Sequence, residues 1–181
     1  MSAYDQLIAL MNKRRSIHYF SNEPLDESTL TKILETGRIA PSVENTQPWH
    51  FHVIRDSALK TKLMDTSCYG NFVAGAGAFI VIVCDKSAAV VSPDTLWNPR
   101  EMEYSCSVAC HAMMLAATAL NIGSCWVSLH HGPAHDVLKL KDQQIIVGGL
   151  MLGHMKKGDE DASLEHQRKP LKSMVTYDKH S

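Results

Sequence analysis

Apolar side chains recur at helical spacing twice in the first forty residues. Leu7, Ile8, Leu10 and Met11 fall on one face of Tyr4 to Asn12, and Leu30, Ile33 and Leu34 on one face of Asp26 to Ile39. The pattern predicts two amphipathic helices, the second opened by Asp26 as N-cap with Ser28 behind it. Ser21-Asn22-Glu23-Pro24 between them predicts a turn, because Asn and Ser bond to nearby backbone and Pro keeps its predecessor out of the helical region. After Pro48 the period drops to two. Trp49-His50-Phe51-His52-Val53-Ile54 alternates large apolar and polar groups and Ala78 to Cys84 is a β-branched run, so both are expected strands, with Ser57 to Thr66 a helix between them.

The longest organised segment is Tyr104 to Leu120, in which Val108, Ala109, Ala112, Met113, Leu115, Ala116, Ala117, Ala119 and Leu120 leave little polar face. A helix apolar nearly all round must be buried on several sides. Ser105, Ser107, His111 and Thr118 interrupt it, and Asn121 with Gly123 closes it, before the roughly 18 unbroken apolar residues of a membrane span accumulate. Burial by a second subunit is the better expectation. Beyond it Ser124 to Leu129 predicts a strand, Ala134 to Leu140 a short helix, and Ile145 to Leu152 a buried strand containing Gly148-Gly149. From Lys156 to Ser181 the chain is polar and aperiodic until Pro170-Leu171. No repeat, low-complexity tract or linker divides the sequence, so one domain over residues 1–181 is expected.

Charge and composition narrow the function classes. The formal net charge of −1 provides no basic field for nucleic acid or an anionic membrane, and neither partner is expected. Met1 to Met11 carries Asp5 and runs into Lys13-Arg14-Arg15 without the apolar core and cleavage site of a secretory signal, which predicts a cytoplasmic protein. Five cysteines, Cys68, Cys84, Cys106, Cys110 and Cys125, are an odd number in a chain too large to need staples, and are expected as reduced, mostly buried thiols.

Two segments carry candidate chemistry. Pro41-Ser42-Val43-Glu44-Asn45-Thr46-Gln47-Pro48-Trp49 concentrates neutral hydrogen-bonding side chains between two prolines. It reads either as an ordinary turn with capping groups or as a rigid loop whose Asn and Gln amides meet a heteroaromatic ring of mixed donors and acceptors. Lys13-Arg14-Arg15-Ser16 reads either as a solvated basic helix end favoured by the dipole or as a phosphate grip, since paired guanidinium groups and a hydroxyl suit that anion. Gln167-Arg168-Lys169-Pro170-Leu171 adds a second cationic group in the tail.

Arg14-Arg15-Ser16-Ile17, Ala40-Pro41-Ser42 with Asn45 and Gln47-Pro48-Trp49, Gly123-Ser124-Cys125-Trp126-Val127 after an Ala-rich helix, a Gly-containing strand ending Leu152-Gly153, and Arg168-Lys169-Pro170-Leu171 follow one another in order. Together they resemble the FMN-dependent nitroreductase family over nearly the whole chain. The resemblance implies an α+β three-layer sandwich, a mostly antiparallel sheet flanked by helices, and an intertwined homodimer with FMN at the interface. It also implies NADH or NADPH as electron donor, and transfer to a nitroaromatic, quinone or flavin by a ping-pong mechanism. By the same resemblance Arg14, Arg15 and Ser16, joined by Arg168, would grip the phosphate and ribityl side. Pro41, Ser42, Val43, Asn45 and Gln47 would approach the flavin, the Pro-Ser part from the other subunit. Asn71 would contact the ring, and Val127, Ser128 and Leu129 would offer backbone N–H groups to its reactive nitrogen. No protein side chain is implied as the catalyst.

Two positions depart from the family's pattern. His18 stands where many relatives carry a second arginine, and His166 where a lysine often precedes the tail arginine, which would make phosphate affinity weaker or more pH-dependent because His is only partly charged near neutrality. In so short a chain, Asp85 to Glu103, with Pro93, Trp97 and Pro99, is the expected specificity element, either a semi-rigid lid or a surface loop. The rival readings are a non-catalytic flavin-binding module and a metal-binding or thiol-redox protein. The latter would use Cys106, Cys110 and His111 with His130, His131 and His135, although paired structural-zinc spacings are absent and no metal is expected.

Overall fold

The computed structural model describes residues 1–21, 23–67, 73, 75–89, 95–156 and 168–178. Helix α1 (Ala3–Lys13) opens with a capping box, Ser2 Oγ accepting from the Asp5 N–H and the Asp5 carboxylate accepting from the Ser2 N–H. Helix α2 (Glu27–Arg38) is capped by Asp26 as expected, with Oδ1 2.9 Å from the Thr29 nitrogen. Strand β1 (Trp49–Ile54), helix α3 (Ser57–Met64) and strand β2 (Ala78–Asp85) follow.

Helix α4 spans Glu101–Ala119 and so starts three residues before the apolar run that announced it. Local polar bonds start it: the Glu101 carboxylate accepts from the Asn98 N–H, and the Asn98 side chain accepts from Arg100. Glu101 and Glu103 lie in its first turn, where the dipole favours them. Strand β3 (Gly123–Val127) ends two residues earlier than expected, helix α5 (His131–Leu138) starts three earlier, and strand β4 runs Gln144–Gly153. Lys139, at φ 51°, is left-handed and stops α5.

The four strands form one antiparallel sheet in the order β1-β2-β4-β3. One face meets α2 and α4 through Ile80, Ile82, Leu150 and Leu152 packed on Leu30, Ile33, Met102 and Met113. The other meets α3 and α5 through Phe79, Val81, Val83 and Ile146 packed on Leu63 and Ala134. The result is the three-layer α+β sandwich that the sequence implied. Gly148 and Gly149 are there for ring clearance: a Cβ on Gly148 would lie 2.2 Å from the Trp126 ring, and one on Gly149 2.4 Å from Phe79.

Burial of α4 is one-sided in the single chain. Met102, Cys106, Ala109, Cys110, Met113 and Ala117 are buried, while Tyr104 and Val108 are exposed. No residue of α1 is buried, and Tyr4, Leu7 and Met11 face outward. Among the described residues no helix is long and apolar enough to cross a membrane.

Candidate functional site

The chain leaves α1 in extended conformation at Arg14 (φ −60°, ψ 128°) and runs beside β3, where Ser16 bridges Ser124 and the Ile17 N–H donates to the Ser124 carbonyl at 2.9 Å. Side chains alternate along such a segment. Ile17 enters the core, while Ser16 and His18 stay exposed. His18 Nε2 lies 3.6 Å from Cys125 Sγ. Burial pushes the Cys125 thiol pKa up, opposed by a Ser16 hydrogen bond and the Arg14 charge. Arg14, Ser16 and His18 therefore gather around one thiol at the start of β3. Arg15 takes the other side: its Nη1 donates to the carbonyls of Asn12 and Arg14, and it lines a cavity of about 30 Å³ with Ile17, Gly123, Ser124 and Met155.

Beside this cluster lies an open strand edge. β3 is the last strand of the sheet, and among the described residues its outer edge meets other backbone only at the Ser16–Ser124 bridge and, beyond its end, at the bridge of Leu129 with Ser67. The His130 N–H donates to Thr66 at 2.6 Å and closes that far end. Between the bridges, Cys125 to Ser128 carry backbone groups that no described strand pairs, a slot of roughly 13 Å at the usual rise per residue. Val127 and Leu129 are buried at the slot and Ser128 is exposed.

The Pro41–Gln47 loop is strained. Glu44, Asn45 and Gln47 all have positive φ (44°, 56° and 46°), a region that costs a non-glycine residue about 1–2 kcal/mol. Its anchors compensate. Ser42 Oγ accepts from the Gln47 N–H at 3.0 Å, Ser105 Oγ on α4 accepts from the Val43 N–H at 3.1 Å, and the Pro48 carbonyl accepts from the Asp85 N–H at 2.7 Å. Pro41, Asn45 and Gln47 are left exposed. Strain held this firmly concentrates at functional sites.

The loop and the arginine segment do not meet within one chain. The loop is fastened at Ser105, near the start of α4, whereas Lys13 is fastened through Nζ to Asn121 Oδ1 at 2.7 Å, just past its end. Sixteen helical residues place these anchors roughly 24 Å apart. Arg168 is exposed ahead of the short turn Leu171–Ser173 and makes no hydrogen bond or ion pair among the described residues. Asn71, His166 and Pro93 lie outside the described residues. Of the rival metal set, Cys106 and Cys110 face the core while His111, His130 and His131 are exposed, and no cluster of three metal-binding side chains occurs among the described residues. Sequence reasoning missed two contributors. Cys125 was visible only as part of a family motif, and Ser105 had no local signal at all.

The sequence model of the Nitroreductase family matches residues 11–99 and 65–154, which takes in the arginine segment, the strained loop and the β3 edge. The chain belongs to the nitroreductase family. An Archaeoglobus fulgidus member named as a candidate NADH dehydrogenase/NAD(P)H nitroreductase is 32% identical over 126 residues, covering 70% of this chain and 69% of its own. The 5,6-dimethylbenzimidazole synthase of Rhodospirillum rubrum is 30% identical over 149 residues, covering 69% and 70% respectively. Among solved nitroreductase structures, one from Desulfovibrio desulfuricans in complex with FMN superposes with a TM-score of 0.81 at 26% identity, over 97% of this chain and 98% of that one.

Proposed function

We propose that this chain is an FMN-dependent oxidoreductase, a cytoplasmic homodimer that carries reducing equivalents from NADH or NADPH to a small acceptor by ping-pong turnover. The observation that carries the reading is the open β3 edge with Arg14, Ser16 and His18 at one end. The donor set fits the cofactor: a guanidinium, a hydroxyl and an imidazole suit a phosphate monoester, and the outward backbone groups from Cys125 to Ser128, which no described strand pairs, suit the ring's heteroatoms. Arg14, Ser16 and His18 hold the phosphate, Arg168 closes on it from the tail, and the backbone of Val127, Ser128 and Leu129 orients the ring. Arg15 supports the phosphate segment from behind.

The second subunit supplies what one chain lacks. Pro41, Ser42, Val43, Asn45 and Gln47 lie at the far end of α4 in a rigid loop, with Pro41, Asn45 and Gln47 exposed; a partner copy brings this loop over the ring, and Asn71 contacts the ring as well. Bound FMN supplies the hydride chemistry, so the protein's share is position and exclusion of water. Donor and acceptor take the same face in turn, and no dedicated acid-base side chain is needed. The acceptor class is a nitroaromatic, a quinone or a flavin, and a relative named for benzimidazole synthesis shows how far the family's chemistry ranges.

The visible spectrum of the purified protein tests this reading. A yellow protein that releases FMN, and not FAD, on acid treatment and is bleached by NADH or NADPH is the expected result. A colourless protein that takes up no added FMN refutes the reading, and bound flavin that neither nicotinamide reduces leaves a binding module in place of an enzyme.

A further inference from the structure

The Cys125 sulfur touches two groups of different kind. Its S–H donates to the Trp126 carbonyl at 3.3 Å, and His18 Nε2 lies 3.6 Å from the same sulfur. A carbonyl can only accept, and a thiol has one proton to give. With that proton committed to Trp126, the sulfur meets His18 as an acceptor, and Nε2 carries the ring hydrogen. Burial pushes the thiol pKa up, which keeps the proton on sulfur at neutral pH. Cys125 is 6% exposed and fixed on β3, whereas His18 is exposed, so the buried partner sets the state of the exposed one.

We propose that Cys125 fixes the tautomer of His18, so that the imidazole holds the FMN phosphate only in its protonated form and cofactor binding takes up a proton. The tie to FMN rests on the flavoprotein reading; the tautomer does not. A neutral imidazole has one N–H. Spent on Cys125, it leaves Nδ1 as a lone pair, which repels a phosphate oxygen. Protonated, the ring keeps Nε2–H on the sulfur and gains Nδ1–H, a charged donor to phosphate. The proton comes from solvent, only the Nδ1–H bond forms, and nothing is oxidised. Cys125 is a positioning residue, acting on the phosphate through His18.

Affinity then falls as pH rises through the neutral range, where an imidazole loses its charge. The phosphate runs the other way at lower pH, because its second proton leaves near pH 6 and the dianion binds cations better. Above pH 7 the phosphate is almost wholly dianionic, and the imidazole governs the change. The other charged groups along the segment come from three elements. Arg14, after α1, acts on the same thiol, and Lys156, past β4, lies over the ring of Tyr19, 6.0 Å from its centroid. Arginine and lysine keep their charge over this range. Cys125 is the only titratable side chain on β3. His154, whose carbonyl accepts from the Ser21 N–H, lines a cavity with Lys13 and Glu23 and is the second histidine beside the segment.

Ring-nitrogen NMR of protein isotope-labelled at histidine reads the tautomer, and calorimetric FMN titration of flavin-depleted protein, in buffers of differing ionisation enthalpy, reads the proton. Expected are Nε2–H in neutral His18, an FMN dissociation constant raised about five- to tenfold from pH 7 to pH 8.5, and uptake of about half a proton or more per FMN. Riboflavin, which lacks the phosphate, takes up none. His18→Gln removes both effects. Cys125→Val flattens the pH dependence by freeing the tautomer, Cys125→Ser, whose hydroxyl can make both contacts, restores it, and His154→Gln leaves it intact. Neutral His18 with its hydrogen on Nδ1 overturns the proposal. So does an FMN affinity that is constant from pH 7 to pH 8.5, or a full pH dependence in Cys125→Val. Protein that takes up no FMN refutes the flavoprotein reading instead, and the ring-nitrogen spectrum still decides the tautomer.

Discussion

Arg14 stands beside the Cys125 thiol, while Arg15, one position on, bonds back to the carbonyls at the end of α1. Their replacement should separate two effects. Arg14→Ala is expected to weaken FMN binding about 10- to 100-fold, the worth of one charge-assisted contact, at nearly unchanged melting temperature. Arg15→Ala should lower the melting temperature and affect FMN less. Isothermal titration beside thermal melts checks both, and equal losses of affinity would contradict the division of roles. A different residue governs behaviour in acid. Burial, and then the charge of His50, holds the His52 pKa down, and its Nε2 is buried without a hydrogen-bond partner among the described residues. The unfolded chain takes up this proton near the ordinary value of 6.5 and the folded chain only at lower pH. Between those two values the unfolded state binds more protons, so acidification favours unfolding there. His52→Phe should reduce the loss of melting temperature between pH 7 and pH 5, and an identical loss in both proteins would show that another group is responsible.

The elements were legible wherever periodicity and capping agreed. Asp26 with the Leu30, Ile33, Leu34 stripe located α2 to within a residue, and the alternation from Trp49 to Ile54 defined β1. The start of α4 was not legible, because the Asn98–Glu101 turn that begins it carries no apolar signal. The end of β3 was also hidden, since Ser128 and Leu129 continue its apolar pattern after the pairing with β4 stops at Val127. The strained loop was the deepest gap: Pro41 to Pro48 reads as capping chemistry, but its three left-handed residues are imposed by Ser105 and Asp85, which are distant in sequence. Glu44→Gly should therefore stabilise the protein by roughly 0.5–1 kcal/mol in urea unfolding, the Cβ penalty less glycine's entropy, whereas Glu44→Ala gains nothing. Equal effects would mean that no strain resides there. In the sheet, Gly148→Ala drives a methyl into the Trp126 ring and should cost about 1–3 kcal/mol in the same assay. An unchanged midpoint would show that the ring moves aside freely.

The single chain leaves apolar surface where a soluble monomer would not. Tyr4, Leu7 and Met11 on α1, Tyr104 and Val108 on α4, and Leu171, Met174 and Tyr177 in the tail are all exposed. The sequence announced only the α4 part, because an all-apolar helix is conspicuous, while an amphipathic α1 looks satisfied by any core. A shallow, mostly apolar groove lined by Leu10 of α1, Ala112, Leu115, Ala116 and Ala119 of α4, Leu120 just past it, and Lys32 and Thr36 of α2 lies where the three helices meet. Ala116→Glu puts a charge and a larger side chain into that groove and should give aggregated or flavin-free protein, visible by gel filtration with absorbance at the flavin wavelength. In the proposed dimer the same surface brings the loop of one copy over the arginine segment of the other, so cofactor and partner should leave together. Sedimentation of the purified protein over a dilution series, followed at both protein and flavin wavelengths, tests this directly. Dimer dissociation and FMN release sharing one dependence on protein concentration is the predicted result, and a well-behaved monomer that keeps its full complement of FMN would contradict it.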